Sequence, residues 1–298
     1  MSAVDPGREK GRRFALPGLA YNLYLLRKNV LTLVGLIVVL VLVLVAVLAP
    51  VVAPYPKDAF ADVHTEHRLQ APSRSHPFGT DEMGRDMLSR VVFGARISLT
   101  VGIIAIGLAL LIGVPLGLFA GYFGGFIDEL IMRITDVFLS FPPLLLATAI
   151  TAMLGPSLTN AMIAIALSWW PWYTRLIRGQ AVSLRERGFV EAARAIGVPR
   201  PRIIFRHILP NAVAPIIVQA SMDFGSIILE SASLSFLGLG AQPPQPEWGL
   251  IVSIGRNFFM TSWWYVTFPG LAIFLAVLAF NFVGDGLREI LDPKTREG

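Results

Sequence analysis

From Ile97 to Ile127 the chain carries no charged side chain, and a second such stretch runs from Asn29 to Pro56. A helix of about 20 apolar residues crosses the hydrocarbon of a bilayer, whereas a soluble core helix rarely needs so many. Across 298 residues the protein is 54% hydrophobic and only 15% charged, so it lacks the polar surface a soluble fold would need over those segments. Lipid supplies that cover. The sequence predicts an all-α polytopic membrane protein and argues against a soluble enzyme.

The apolar segments predict six transmembrane helices, near 31–52, 99–120, 137–154, 161–177, 212–236 and 266–283. The first follows Arg27-Lys28, is too long for a signal core and has no tidy small-residue cleavage site, so it reads as a retained span. Gly155-Pro156-Ser157 marks the turn between the third and fourth. Pro142-Pro143 and Pro171 should interrupt the helices they sit in, for packing or for a hinge.

Lys and Arg set the orientation. Arg8, Lys10, Arg12, Arg13, Arg27 and Lys28 crowd the amino-terminal tail, eight Arg fall between Arg175 and Arg206, and Arg288, Lys294 and Arg296 close the chain. With six spans these three blocks share one side, which the positive-inside bias makes the cytoplasm. The expected organisation is a cytoplasmic tail and interfacial segment over 1–30, a first span over 31–52, and an external loop with a pre-span helix over 53–98. A five-helix core follows over 99–285, with a basic loop at 183–210, and then a cytoplasmic tail over 286–298. Membrane lipid is the expected surrounding, and basic loops between spans leave no role for nucleic acid. Trp248, Trp263, Trp264 and Tyr265 in the second outward loop suit an interfacial anchor or the lining of a path.

Several chemistries have no carrier in the chain. It contains no cysteine, which excludes thiol catalysis and disulfides. No Gly-x-x-x-x-Gly-Lys-Ser/Thr loop is present, and Gly238-Leu239-Gly240 lacks the third glycine of a dinucleotide loop. His64 and His67, beside Asp62 and Glu66, read as surface residues, with a metal contact as the alternative. No catalytic residue, cofactor site or metal site is expected.

The basic loop has its own design. Ser183-Leu184-Arg185-Glu186 has capping-box spacing and predicts a helix start, with the helix running through Glu191, Ala192 and Ala193. Gly197 is placed to end it in the left-handed region, Pro199 and Pro201 allow a new start, and Pro210 closes the loop. Small residues at 192 and 193 let such a helix approach another protein closely. A helix lying on lipid headgroups is the competing reading.

Glu191-Ala192-Ala193-x-x-x-Gly197, followed by nine residues and then His207-Ile208-Leu209-Pro210, resembles the docking motif of ATP-binding-cassette importer permeases. The segments His76 to Asp86, Glu230 to Gly240 and Gly284 to Arg288 are similar to those of the peptide branch, in particular its C-type subunit for dipeptides, oligopeptides or nickel. The resemblance covers the chain from Tyr21 onward. It implies a type I importer permease fold with a cytoplasmic coupling-helix hairpin, and a homologous second permease subunit. It also implies two cytoplasmic ATPases that bind ATP and Mg, an extracytoplasmic solute-binding protein, and a bacterial or archaeal plasma membrane. Glu191, Ala192, Ala193 and Gly197 would then couple to the ATPases.

Two acids stand inside a predicted span. Asp223 and Glu230 are seven apart, hence on roughly one helix face, and ions are expensive in hydrocarbon. They should face a watery path or a partner subunit; an ion-coupled secondary carrier would use them as its coupling site. Nearer the surface, Thr80 or Asp81 is expected to cap a helix bearing an Asp86–Arg90 pair, and Asn281 and Asp285 to serve helix-end hydrogen bonds.

Overall fold

A computed structural model describes residues 29–291, and its regular elements are helices. The basic residues Arg8, Lys10, Arg12, Arg13, Arg27, Lys28, Lys294 and Arg296 lie outside that range. Helix α1 spans Val30–Val47 and starts where the Asn29 side chain accepts a hydrogen bond from the Thr32 amide at 3.3 Å. Helix α2 (Met87–Phe123) is 37 residues long and merges the expected pre-span helix with the second span. Its start is fixed by Asp86, whose Oδ2 accepts from the Ser89 amide at 2.8 Å and the Ser89 hydroxyl at 2.7 Å.

The expected third span, 137–154, is not one helix. Helix α3 (Gly125–Leu139) and helix α4 (Pro143–Leu154) meet at an 88° bend, because Pro142 and Pro143 cannot continue the hydrogen-bond ladder. Gly155, at φ +93°, then turns the chain into helix α5 (Leu158–Arg185), capped by the Ser157 hydroxyl accepting from Asn160 N at 3.1 Å. Helix α6 (Gly188–Ala195) follows. A turn at Arg200–Ile203 and a π-helical turn at Ile204–Ile208 run straight into helix α7 (Leu209–Phe236). Helix α8 (Trp248–Gly255) and helix α9 (Trp264–Leu291) complete the described chain.

Four helical segments are long and apolar enough to cross a membrane: α1, α2, the run Arg200–Phe236 and α9. The bent α3–α4 pair makes a fifth if it forms one crossing. Helix α5, which holds the expected fourth span, falls outside that set; Trp169, Trp170, Pro171, Trp172 and three arginines dilute its apolar character.

Helices α2 and α5 form the closest pairing, and glycine makes it possible. A β-carbon on Gly113, Gly117 or Gly121 would lie 2.6 Å from Trp170 O, Thr174 O or Ala181 Cβ respectively. Spacing of four keeps the three glycines on one face, so the backbones touch over two turns, the small-residue packing favoured within membranes. The sequence carries this signal plainly, as Gly113-x-x-x-Gly117-x-x-x-Gly121.

The segment before α2 folds into a buried ionic knot. Asp81 Oδ2 meets Arg85 Nε at 2.7 Å and Arg90 Nε at 3.4 Å, while its Oδ1 accepts from the Met83 and Arg85 amides at 2.8 and 2.9 Å. Arg90 therefore pairs with Asp81 and not with Asp86, which is occupied as the α2 cap and by His76 Nδ1 at 3.0 Å. Over this knot sit the aromatics expected to anchor in lipid. Trp248 donates to Val91 O at 2.9 Å, Trp264 to Thr80 O at 3.1 Å, and Tyr265 to Glu82. All three are buried, leaving Trp263 as the exposed member of the set. Their polar edges find partners inside the protein, two backbone carbonyls and one carboxylate, which removes any need for an interface.

Candidate coupling hairpin and buried acids

The hairpin between α5 and α7 begins later than its sequence predicts. Ser183 and Leu184 stay inside α5, because the helix continues to Arg185, and α6 starts at Gly188 with Arg187 as its extended cap. Arg185 instead closes another helix: its Nη1 donates to Gly121 O at 3.2 Å and Tyr122 O at 3.4 Å, satisfying carbonyls at the end of α2. Nor does Pro210 end the hairpin, since it lies in the first turn of α7 and the helical run is continuous from Arg200.

The turn itself follows the expected chemistry. Gly197 has φ +76°, its amide donates to Arg194 O at 3.0 Å, and the Val198 amide donates to Ala193 O at 3.0 Å. These two bonds form a Schellman motif, which requires the left-handed residue that glycine supplies. Glu191, Ala192 and Gly197 are exposed on the outer side of the hairpin, together with Ile196, which is 80% exposed, and Phe189 and Phe205. Ala193 is turned the other way, buried with Val190 among Leu118, Tyr122 and Ile203. The four residues thus divide: three face outward and one fastens the hairpin to the bundle. Arg194 lies over the Tyr122 ring at 5.3 Å and Arg200 over Phe123 at 6.0 Å, holding the hairpin against the end of α2.

Asp223 and Glu230 both lie on α7 and are 7% and 6% exposed. Each is half-satisfied. Glu230 Oε2 accepts from the Trp169 indole at 2.6 Å, while Oε1 has no partner. Asp223 Oδ1 accepts from Gln219 Nε2 at 2.8 Å, while Oδ2 has none. The Tyr173 hydroxyl stands beside Asp223 but makes no hydrogen bond of good geometry. Trp169, Tyr173 and Gln219 are partners the sequence reading missed; the first two sit on α5, about 50–60 positions earlier, with no local pattern to point at α7. A cavity of about 470 Å³ opens against Asp223, lined also by Trp169, Trp172, Arg175, Leu176 and Gln219. Arg175 is tied to Asp136 at 2.6 Å, and Arg178 to Asp128 at 2.5 and 2.7 Å, so both cations brace α3 against α5.

Elsewhere the expected polar groups have simple partners. Asn281 bonds back to Val277 O at 2.8 Å. His64 Nε2 lies 3.3 Å from Asp58 Oδ1, and ligand atoms of Asp58, Asp62 and His64 fall within 4.8 Å of one another; His67 is turned toward Gln70 instead.

Comparison with known proteins places this architecture. Residues 113–297 match the family described as binding-protein-dependent transport system inner membrane component, and residues 23–72 match the N-terminal TM domain of oligopeptide transport permease C. The chain is 53% identical over 295 residues to the dipeptide transport system permease protein DppC of Alkalihalophilus pseudofirmus, covering 99% of this chain and 92% of that protein. It is 51% identical over 227 residues to the probable D,D-dipeptide transport system permease protein DdpC of Escherichia coli, covering 76% of each. An inward-facing structure of the MetNI methionine ABC transporter shares the fold, at a TM-score of 0.56 and 20% identity, over 68% of this chain and 97% of that one. With nearly its whole length aligned at such identity, the chain belongs to the binding-protein-dependent transport system inner membrane component family, as a permease subunit of an ABC-type importer.

Proposed function

We propose that this permease forms half of the translocation pathway of an ATP-driven importer of dipeptides or oligopeptides. The observation that carries the reading is 53% identity, along 99% of the chain, to a dipeptide permease. On this reading the membrane is crossed six times. The bent α3–α4 pair makes one crossing, and α5, whose 28 residues extend ~42 Å at about 1.5 Å per residue, makes another. Both termini and the basic hairpin then face the cytoplasm of a bacterial or archaeal cell.

The other half of the pathway is a homologous permease subunit. Two cytoplasmic ATPases bind ATP and Mg, and an extracytoplasmic binding protein delivers cargo. Glu191, Ala192 and Gly197 on the exposed side of the hairpin enter an ATPase groove, where the apolar Ile196 and Phe205 lose their exposure to water. Ala193 serves the same coupling from inside, by tying α6 to α2 and α5. Motion of the groove then reaches α5 and α7 directly, because the hairpin is continuous with α7 and nearly so with α5. Asp223 and Glu230 face the pathway or its subunit interface.

Glu191→Lys in the complete complex tests the coupling. The variant is expected to insert normally and to lose ATP-driven dipeptide uptake, with fewer ATPase subunits retained on purification. Full retention of the ATPases together with unchanged uptake would sink the docking role. Uptake by the purified permease pair alone, driven by an ion gradient, would sink the importer reading.

A further inference from the structure

The cavity against Asp223 is unusual in what it leaves unbonded. Two carboxylates on α7 are buried, and neither forms an ion pair among the described residues: Glu230 Oε1 has no partner, and Asp223 has Gln219 and the nearby Tyr173 hydroxyl but no cation. Arg175, the cation on the cavity wall, is already held by Asp136. A buried carboxylate without a cation beside it is costly, and a counter-charge that reaches it during function relieves that cost. At about 470 Å³ the space falls within the size of small-ligand sites, which run from about 300 to 1,000 Å³, and exceeds what a single side chain fills. Its walls add Trp169 and Trp172, and indoles attract cations. Anion on one wall and indoles beside it suit an ammonium group.

We propose that this cavity is a passing site for the ammonium end of the cargo, received by Asp223 between Trp169 and Trp172. Glu230 is a positioning residue, holding Trp169 through its indole at 2.6 Å. The proposal rests on the peptide-importer reading and adds to it: the permease itself, and not only the binding protein, selects a positively charged amino end. A site of this kind binds weakly, because cargo must leave it again.

The test uses the complete importer in nanodiscs and in proteoliposomes, with dialanine and N-acetyl-dialanine as probes. Without binding protein, saturation-transfer NMR should detect dialanine on the wild-type complex and not the acetylated form. Asp223→Asn, which keeps the shape, should abolish that signal and lower dialanine uptake about tenfold while both permeases still co-purify. Glu230→Gln, whose amide oxygen still accepts from Trp169, should keep the signal; Glu230→Ala should lose it. Equal signals for both probes, or unchanged uptake in Asp223→Asn, overturn the site while leaving the importer intact. Loss of the second permease from Asp223→Asn would assign the charge to a subunit bond and also overturn it. A wild-type importer that accumulates no dialanine overturns the peptide reading, and this proposal with it.

Discussion

Trp169 donates its indole N–H to Glu230 Oε2 at 2.6 Å, joining α5 to α7 across the interior. Since Glu230 Oε1 is already without a partner, Trp169→Phe would leave the whole carboxylate buried and unbonded. A hydrogen bond to a charged group contributes about 1.5–3 kcal/mol. Thermal unfolding in detergent should fall accordingly for Trp169→Phe. Adding Glu230→Leu should recover part of the loss, because the stranded group is then gone. A double variant as unstable as the sum of its single changes would show that the bond contributes nothing.

Legibility of the sequence divides along the reach of the interactions. Gly197 was readable because a helix end needs a left-handed residue, a requirement local to a few positions. The prolines at 142 and 143 announced a break but not its 88° angle, which depends on what α3 and α4 pack against. Three of the four aromatics expected to anchor in lipid or line a path are buried in the protein instead. Trp248 finds its acceptor 157 positions away and Trp264 finds one 184 away, and no window of sequence contains both ends. Asp223 and Glu230 stand out as ions in an apolar span, and Gln219 is a local neighbour four residues before Asp223, but Trp169 and Tyr173 come beside them only when α5 and α7 are brought together. Local chemistry was legible; nonlocal pairing was not.

The glycine face of α2 gives a second prediction. Gly117→Leu would place its first side-chain carbon 2.6 Å from Thr174 O and 2.8 Å from Ile177 Cβ, with a branched side chain beyond it. Forcing extra atoms into a packed contact costs about 1–3 kcal/mol, and here it also separates two backbones. Gly107→Ala is the control, because nothing lies within 4 Å of its added carbon. It should leave stability unchanged or raise it by about 0.5–1 kcal/mol through helix propensity. Detergent unfolding curves should shift to lower temperature for Gly117→Leu and should not for Gly107→Ala.

Asp81 is the hub of the ionic knot before α2, facing Arg85 and Arg90, both of which are buried. Asp81→Asn keeps the shape but leaves two buried cations with less counter-charge. Breaking a buried ion pair from one side costs about 3–5 kcal/mol. The expected outcome is poor folding, read as reduced yield of monodisperse protein. A change in Asp62, which is exposed on the same loop, should have little effect.

Gly197 separates strain from crowding. No atom lies within 4 Å of an added β-carbon, so Gly197→Ala tests backbone conformation alone. A left-handed alanine costs roughly 1–2 kcal/mol, while asparagine tolerates the region better. ATP-driven uptake by the complete importer should therefore drop for alanine and recover for asparagine. Equal activity in all three would mean that the angle between α6 and the following turn is unimportant for coupling.

Glu247 predicts how stability varies with pH. It caps α8, its Oε2 accepting from the Leu250 amide at 2.8 Å, and it is 1% exposed. Burial pushes its carboxyl above the usual carboxylate range, against the lowering effect of hydrogen bonds from the Leu250 and Gly249 amides and from Ser235. The folded chain therefore holds this proton more tightly than the unfolded one. Its contribution is fully present below the ordinary glutamate pKa and is lost as pH rises through the raised folded value. Glu247→Gln keeps an oxygen to cap α8 but cannot titrate, so its unfolding temperature should lose less than wild type as pH rises from the ordinary glutamate value upward. Glu247→Ala removes the cap as well and should be less stable at every pH, by about 1 kcal/mol. Parallel pH profiles for wild type and Glu247→Gln would show that this carboxyl titrates as it does in the unfolded chain.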